Sequence, residues 1–325
     1  MNRLKWPLIV ILLAALLLLP QLPWSSNKTL TILIQLFIVA ALASSWNILA
    51  GYAGQVNLGH AAFFGLGSLI TRLLWLNDYP FILSFLAGGA VATIFALIVG
   101  APALRLRGIY FAIGTLALAQ ALHLTVGNIL PGNSALPGPK LAGYDLVPRY
   151  YLALGLLIVI VVTSVWLIHS RLGLGMLAVR EDEAAAQSIG VNVFRHKLTA
   201  FVISAFFAGL TGSVFAYFHV SYYYQFTFTP IWTFDAVLVT FIGGIGAITG
   251  PLAGAIFFVL VRDVLATNLT NFHLIIFGLL FILVVLILPG GLLELWDRVT
   301  RLGKTTPPQP STEAAAEMKG GGEMV

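Results

Sequence analysis

The chain has 325 residues, of which 59% are hydrophobic and 9% charged, whereas a soluble domain carries about 25% charged residues. That balance excludes a soluble globular fold and puts the chain in a lipid bilayer. The net charge is +5, but the cations sit at the ends of apolar segments and form no basic stripe with interleaved aromatics, so nucleic acid is not an expected partner, and the absence of cysteine excludes disulfides, thiolate metal sites and cysteine nucleophiles.

In chain order, the first apolar run follows Arg3 and Lys5. It is read as an uncleaved span, because Pro20, Pro23 and Trp24 stand where small residues would form a cleavage site. Segments near the length needed to cross a bilayer, about 20 residues, recur at 6–23, 30–50, 56–76, 80–103, 109–127, 150–169, 198–220, 231–249, 251–268 and 272–289. The third and ninth are the weakest, since they hold Gln55, Asn57, His60 and Arg72, and Arg262 and Asp263. Cation bias supports ten spans with both termini cytoplasmic: Arg105 and Arg107, then Arg171, Arg180, Arg195 and Lys197, then Arg298, Arg301 and Lys304 fall on the same side as Arg3 and Lys5, leaving Lys28, Lys140 and Arg149 outside. The expected fold is therefore all-α and integral to the membrane.

Between the fifth and sixth spans, PGNSALPGPKLAGYDL is rich in Pro and Gly and reads as a turn-rich outer cap. SYYYQFTFTP, 221–230, has the aromatic character of an interfacial belt on the same side. The tail 304–325, which is polar, Pro-rich and glycine-ended, is expected to be disordered.

Polar and glycine-rich places inside apolar segments are functional suspects. The stretch 51–68, GYAGQVNLGHAAFFGLGS, sets five glycines beside Gln55, Asn57 and His60. It reads as a broken or re-entrant element lining a passage, or else as small-residue helix packing with satisfied polar side chains. GGIGAITGPLAGAIFF, 243–258, opens with Gly243 and Gly244 and has the same two readings, with close packing of a helical hairpin the plainer. Asp235, Arg262 and Asp263 either touch a transport path or pair across helices.

The longest polar interruption is 170–197. Arg180, Glu181, Asp182 and Glu183 precede the helix formers Ala184, Ala185, Ala186 and Gln187, and Gly190 stops the run. Acids at the start and glycine at the end are the signature of a short helix. On the inner surface such a helix is suited to docking in a cleft of a soluble partner.

Catalysis has no visible apparatus. The six histidines are scattered, without the His-Glu-x-x-His spacing of a zinc site, and there is no Gly-x-Ser-x-Gly elbow. Gly303, Lys304 and Thr305 resemble the end of a phosphate loop, but Arg298 occupies the required leading glycine position. No catalytic residue, resident cofactor or metal is therefore expected.

Four blocks carry a resemblance: GYAGQVNLGHAAFFGLGS; LRLRGIYFAIGTLALAQ at 104–120; SRLGLGMLAVREDEAAAQSIGVNVFRHKLTAFVISAFFAGLTGSVFA at 170–216; and FIGGIGAITGPLAGAIFFVL at 241–260. Together they resemble the LivM-type permease subunits of bacterial branched-chain amino acid ABC transporters. The resemblance implies a type II importer fold with a permease domain over 1–303 and a cytoplasmic coupling loop over 170–197. It also implies a multi-pass protein of the bacterial inner membrane. Its partners would be a second, LivH-like permease, two cytoplasmic ATPases that consume ATP, and a periplasmic or lipid-anchored binding protein. Arg180, Glu181, Asp182, Glu183, Ala184, Ala185 and Gly190 would then couple to the ATPase. The pathway would involve Gln55, Asn57, His60, Tyr110, Thr115, Gly243 and Gly244. Gly190 lies seven residues after Glu183, a spacing that fits this subfamily better than the six of the general ABC pattern. PGNSALPGPK departs from the Thr-Gly-Gly-x-x-Gly stretch common in the family's outer loop. Related permeases carry urea and short amides. A self-contained secondary transporter or channel is the competing class, and would move solute under an ion gradient alone.

Overall fold

In the computed structural model the described residues are 5–22, 26–130 and 132–268, with the single positions 278, 291, 292 and 294. Apart from those single positions, the tenth expected span and the whole tail lie outside them.

Helix α1 (Lys5–Leu18) runs into a 3-10 turn (Leu19–Gln21), and its end is held by Tyr150 and Tyr151, whose hydroxyls donate to the Leu16 and Leu17 carbonyls at 2.8 and 2.9 Å. Helix α2 (Asn27–Asn47) is N-capped by Ser26, which accepts from the Thr29 N–H, and continues as a π-helical turn over Ile48–Tyr52. Every residue in 37–53 is buried, as expected of a helix that is apolar all round. The chain then runs non-helically to Gly59 and re-enters helix as α3 (His60–Leu76). At about 1.5 Å per residue, the 17 residues of α3 cover about 26 Å, short of a hydrocarbon core of about 30 Å.

Helices α4 (Phe81–Ala103) and α5 (Ile109–Ile129) lead to strand β1 (Asn133–Ala135), the short helix α6 (Gly138–Ala142) and helix α7 (Leu146–His169). The next two helices, α8 (Arg171–Glu181) and α9 (Glu183–Ser188), are followed by α10 (Val193–Phe218), strand β2 (Ser221–Tyr223), a 3-10 turn (Tyr224–Phe228), α11 (Ile231–Gly243) and α12 (Gly250–Asn268). The expected outer cap is thus a small two-stranded antiparallel sheet, β1–β2, assembled from the two long connections, and the aromatic stretch supplies β2 and the 3-10 turn.

Helix α10 packs on α3 and α4, with α2 behind it. At Gly67 a Cβ would lie 1.9 Å from the Gly209 carbonyl oxygen, and at Gly212 one would lie 1.9 Å from that of Phe64. The α3 and α10 backbones therefore touch, the close approach that small residues permit between helices in lipid. Among the described residues, five helical stretches are long and apolar enough to cross a membrane: Asn27–Ala53, α4, α5, α7 and α10; His60–Leu76 and Ile231–Gly243 are apolar but shorter.

Arg72, which makes the third span look weak by hydropathy, proves to be an anchor of the β1–β2 end. It is wholly buried. Its Nε donates to Ser134 Oγ at 2.7 Å, Nη1 to the Ala216 and His219 carbonyls at 3.1 Å each, and Nη2 to those of Ser134 and Val220 at 3.1 and 2.7 Å. The guanidinium also sits 5.2 Å from the Tyr222 ring centre. One side chain thus ties α3 to both strands and to the end of α10. Next to it, Arg149 lies between the Tyr144 and Tyr217 rings at 3.9 and 4.2 Å and donates to the Tyr217 carbonyl at 2.8 Å.

Replacing Arg72 with Met keeps the bulk and strands the Ser134 hydroxyl and four main-chain carbonyls. The expected cost is about 1–3 kcal/mol for each acceptor left without a donor, seen as a clearly lowered melting midpoint in detergent, with Arg72→Lys intermediate. An unchanged midpoint for Arg72→Met would show that the β1–β2 end is held by something else.

Candidate functional site

The chain leaves helical geometry between Ala53 and His60, and the main-chain groups freed there need partners, because an unsatisfied one in hydrocarbon costs several kcal/mol. They find them on four sides. Trp46 Nε1 on α2 donates to the Asn57 carbonyl at 2.7 Å. Asn57 folds its own Oδ1 back to accept the Gly59 N–H at 2.8 Å, a local Asx turn. Thr115 Oγ1 on α5 accepts the Leu58 N–H at 3.1 Å and donates to the Ala112 carbonyl at 2.9 Å. Thr233 Oγ1 on α11 accepts the Ala61 N–H at 2.8 Å. A Cβ on Gly59 would sit 2.2 Å from the Thr115 carbonyl oxygen, so α5 lies directly against the break.

His60 begins α3 fully buried, with Nε2 2.8 Å from Ser45 Oγ. Ser45 Oγ also donates to the Leu42 carbonyl at 2.7 Å, and the Ser45 carbonyl accepts from Ser204 Oγ at 2.7 Å. Among the described residues, the buried side-chain polar atoms without a hydrogen-bond partner are Ser44 Oγ and His60 Nδ1.

A second convergence lies one turn away along the chain. Asn47, the last residue of α2, accepts the Gly246 N–H at 2.8 Å and donates to the Ala247 carbonyl at 3.0 Å. This clamps the α11–α12 connection against the π-turn. That connection uses backbone open only to glycine: Gly244 has φ 118° and Gly246 φ 81°. Arg180, at the end of α8, reaches the same point, where its Nη1 donates to the Gly51 carbonyl at 2.6 Å.

The 170–197 loop forms two helices rather than one. Asp182 is extended and caps α9 with Oδ1, accepting the Ala184 and Ala185 N–H groups at 2.8 and 3.0 Å. Arg180 and Glu181 consequently belong to α8, and the short helix that Gly190 stops starts at Glu183. Its other end is as read: Gly190 has φ 87°, and the Val191 N–H closes the helix on the Ala186 carbonyl at 3.0 Å. Glu183 pairs with Lys197 of α10, whose side chain is 4% exposed, so α9 is pinned to α10 by a partly buried ion pair. The turn 190–192 stands between two open grooves of about 990 and 810 Å³; Arg105, Arg107 and Asp182 line the first, and Arg171, Arg195 and His196 the second.

Of the residues expected along a pathway, Asn57, His60 and Thr115 meet at the break, and Gln55 is buried at its start, its N–H donating to the Leu49 carbonyl at 3.3 Å. Tyr110 stands apart on the first turn of α5, 71% exposed. Gly243 faces α12, where a Cβ would meet the Gly250 carbonyl oxygen at 1.7 Å; Gly244 ends α11. Arg262 lies 3.9 Å from Asp235, the cross-helix pairing that the sequence left open. Ser45, Trp46, Asn47, Thr233 and Gly246 were not singled out from the sequence. The first three had a signal, the polar island Ser44-Ser45-Trp46-Asn47 just before the glycine cluster, and Gly246 had one in the glycine-rich stretch 243–258; Thr233 had none.

The family profile for the permease component of branched-chain amino acid transport systems matches residues 28–285. The chain is similar to the high-affinity branched-chain amino acid transport system permease protein LivM of Escherichia coli (strain K12), 29% identical over 83% of this chain and 71% of that one. The corresponding LivM of Salmonella typhimurium is 28% identical over the same shares. A probable branched-chain amino acid transport permease protein LivM of Methanocaldococcus jannaschii is 23% identical over 77% of this chain and 88% of that one. No solved structure matches the chain.

Thr115→Val keeps shape and deletes the acceptor for the Leu58 N–H, an expected loss of about 1–3 kcal/mol, while Thr115→Ser retains stability. Equal melting of all three proteins would mean that α5 does not hold the break.

Proposed function

Because this chain belongs to the permease-component family of branched-chain amino acid transport systems, we propose that it is the LivM-type subunit of an ABC importer, carrying branched-chain or related small amino acids. It is an integral membrane protein, and in this reading it sits in the bacterial inner membrane with ten spans and both termini cytoplasmic. Residues 1–303 form the permease domain, with 304–325 as a cytoplasmic tail. A second permease completes the pathway, two ATPase subunits dock from the cytoplasm and spend ATP, and a binding protein delivers the solute.

One observation carries the reading: α9 is short, capped at both ends, fixed to α10 through Glu183 and Lys197, and followed by the turn 190–192 that stands between two grooves. A rigid knob joined to a long buried helix transmits displacement instead of absorbing it. In this reading Glu183, Ala184, Ala185 and Gly190 form the docked surface, with Arg180, Glu181 and Asp182 behind it. Gln55, Asn57, His60, Tyr110, Thr115, Gly243 and Gly244 are assigned to the translocation pathway; the first three and Thr115 are supported by their meeting at the break in mid-bundle.

A ligand shifts a two-state equilibrium only by its differential affinity for the states. For a chain that draws its drive from a partner, that difference enters where the partner grips. The test is reconstitution in vesicles. Uphill uptake is expected once ATPase and binding protein are added and not from the permease subunits alone; uphill accumulation without ATPase would identify a secondary transporter instead. In the full assembly, Glu183→Ala, which strands Lys197, and Gly190→Val, which opposes φ 87°, are expected to lower uptake per ATP by about tenfold, equivalent to about 1.4 kcal/mol of coupling. Native uptake per ATP in both variants would remove α9 from the coupling path.

A further inference from the structure

The Arg180 side chain occupies a place that two glycines, Gly54 and Gly246, keep open, beside a third, Gly51, whose carbonyl it reaches. At Gly54, φ 68°, a Cβ would lie 3.2 Å from both Cα and Cγ of Arg180. At Gly246 it would lie 2.6 Å from Arg180 Nη1 and 3.3 Å from the Gly51 carbonyl oxygen, and at Gly51 it would lie 2.1 Å from Asn47 Oδ1 and 2.9 Å from Gly246 Cα. Gly51, Gly54, Gly246, Asn47 and Arg180 therefore form one contact cluster, drawn from the π-turn, the break after it, the α11–α12 connection and the end of α8. The guanidinium is its sole charged member. It donates to a main-chain carbonyl in a π-turn, a geometry found mostly as single-turn bulges within helices and frequently at functional sites.

α8 precedes α9 with only Asp182 between them. A displacement of α9 thus reaches Arg180 through Glu181 and Asp182 alone, and reaches both helix interruptions through Arg180. Lysine cannot substitute fully, since a guanidinium presents several donors in a fixed plane and an ammonium is a point donor.

We propose that Arg180 is the positioning residue that transmits movement of the 170–197 loop to the two helix interruptions, at 48–59 and 244–249. The inference rests on the proposed docking of an ATPase at α9, and its test separates the two.

The chain has no cysteine, so single cysteines report specifically. Ile189 is 77% exposed beside Gly190, and Val56 is 41% exposed within the break. Ile189→Cys and Val56→Cys are each placed in the assembled transporter and alkylated with a membrane-impermeant maleimide, without nucleotide and after trapping with ATP and orthovanadate. Protection of Ile189→Cys on adding the ATPase subunits tests the docking; its absence overturns the docking and this inference with it. With docking present, the Val56→Cys rate is expected to differ between the two nucleotide states by about fivefold or more, the lower end of ordinary allosteric couplings. In the Arg180→Met background the difference is expected to vanish while Ile189→Cys stays protected, and Arg180→Lys is expected to restore part of it. If Arg180→Met does not assemble, the comparison is made with Arg180→Lys, whose response is expected to be reduced. An undiminished response in whichever variant assembles, or no nucleotide response with Arg180 present, overturns the tie while leaving the docking intact.

Discussion

A polypeptide inside hydrocarbon cannot leave main-chain N–H and C=O groups without partners, and this chain interrupts a helix there. Everything around 53–60 follows from that constraint. The Leu58, Gly59 and Ala61 N–H groups and the Asn57 carbonyl are satisfied by Thr115, Asn57, Thr233 and Trp46, that is, by α5, the break itself, α11 and α2. A continuous α3 would need none of these bonds. The interruption obliges three neighbouring helices to converge on one point.

The two ends of the bundle are built differently. At the β1–β2 end, Arg72 and Arg149 satisfy carbonyls from several elements at once, and the β1–β2 pairing locks the connections together. At the other end the joints are fewer: Arg180 to Gly51, Asn47 to the α11–α12 connection, and Glu183 to Lys197. Glycines with positive φ, at 54, 190, 244 and 246, lie among these joints. Such a molecule has a stiff end and a jointed end, which is the division of labour that a gate driven from one side requires.

Much of this was legible beforehand. Composition gave the membrane; glycine and polar residues at 51–68 gave the interruption; acids before EAAAQ and a glycine after it gave a short helix with the correct C-terminal stop. The start of that helix was legible only as lying within Arg-Glu-Asp-Glu, because any of the acids there can serve the helix dipole, and Asp182 is distinguished from its neighbours only by an extended backbone that lets its carboxylate cap. Arg72 was visible as an anomaly but not as an anchor, since its partners are mostly carbonyls, which every residue has. The Asn47–Gly246 clamp joins positions 199 apart, and one sequence carries no local sign of such pairing.

The central claim is that the satisfied break at 54–61 is a responsive element set by the state of the loop. Hydrogen exchange across that segment in the assembled transporter tests it most directly, comparing the nucleotide-free form with one held by a non-hydrolysable ATP analogue. The account predicts that exchange of the Leu58, Gly59 and Ala61 amides changes between the two forms while the middle of α10 stays constant. Identical exchange of those three amides in both forms would contradict it.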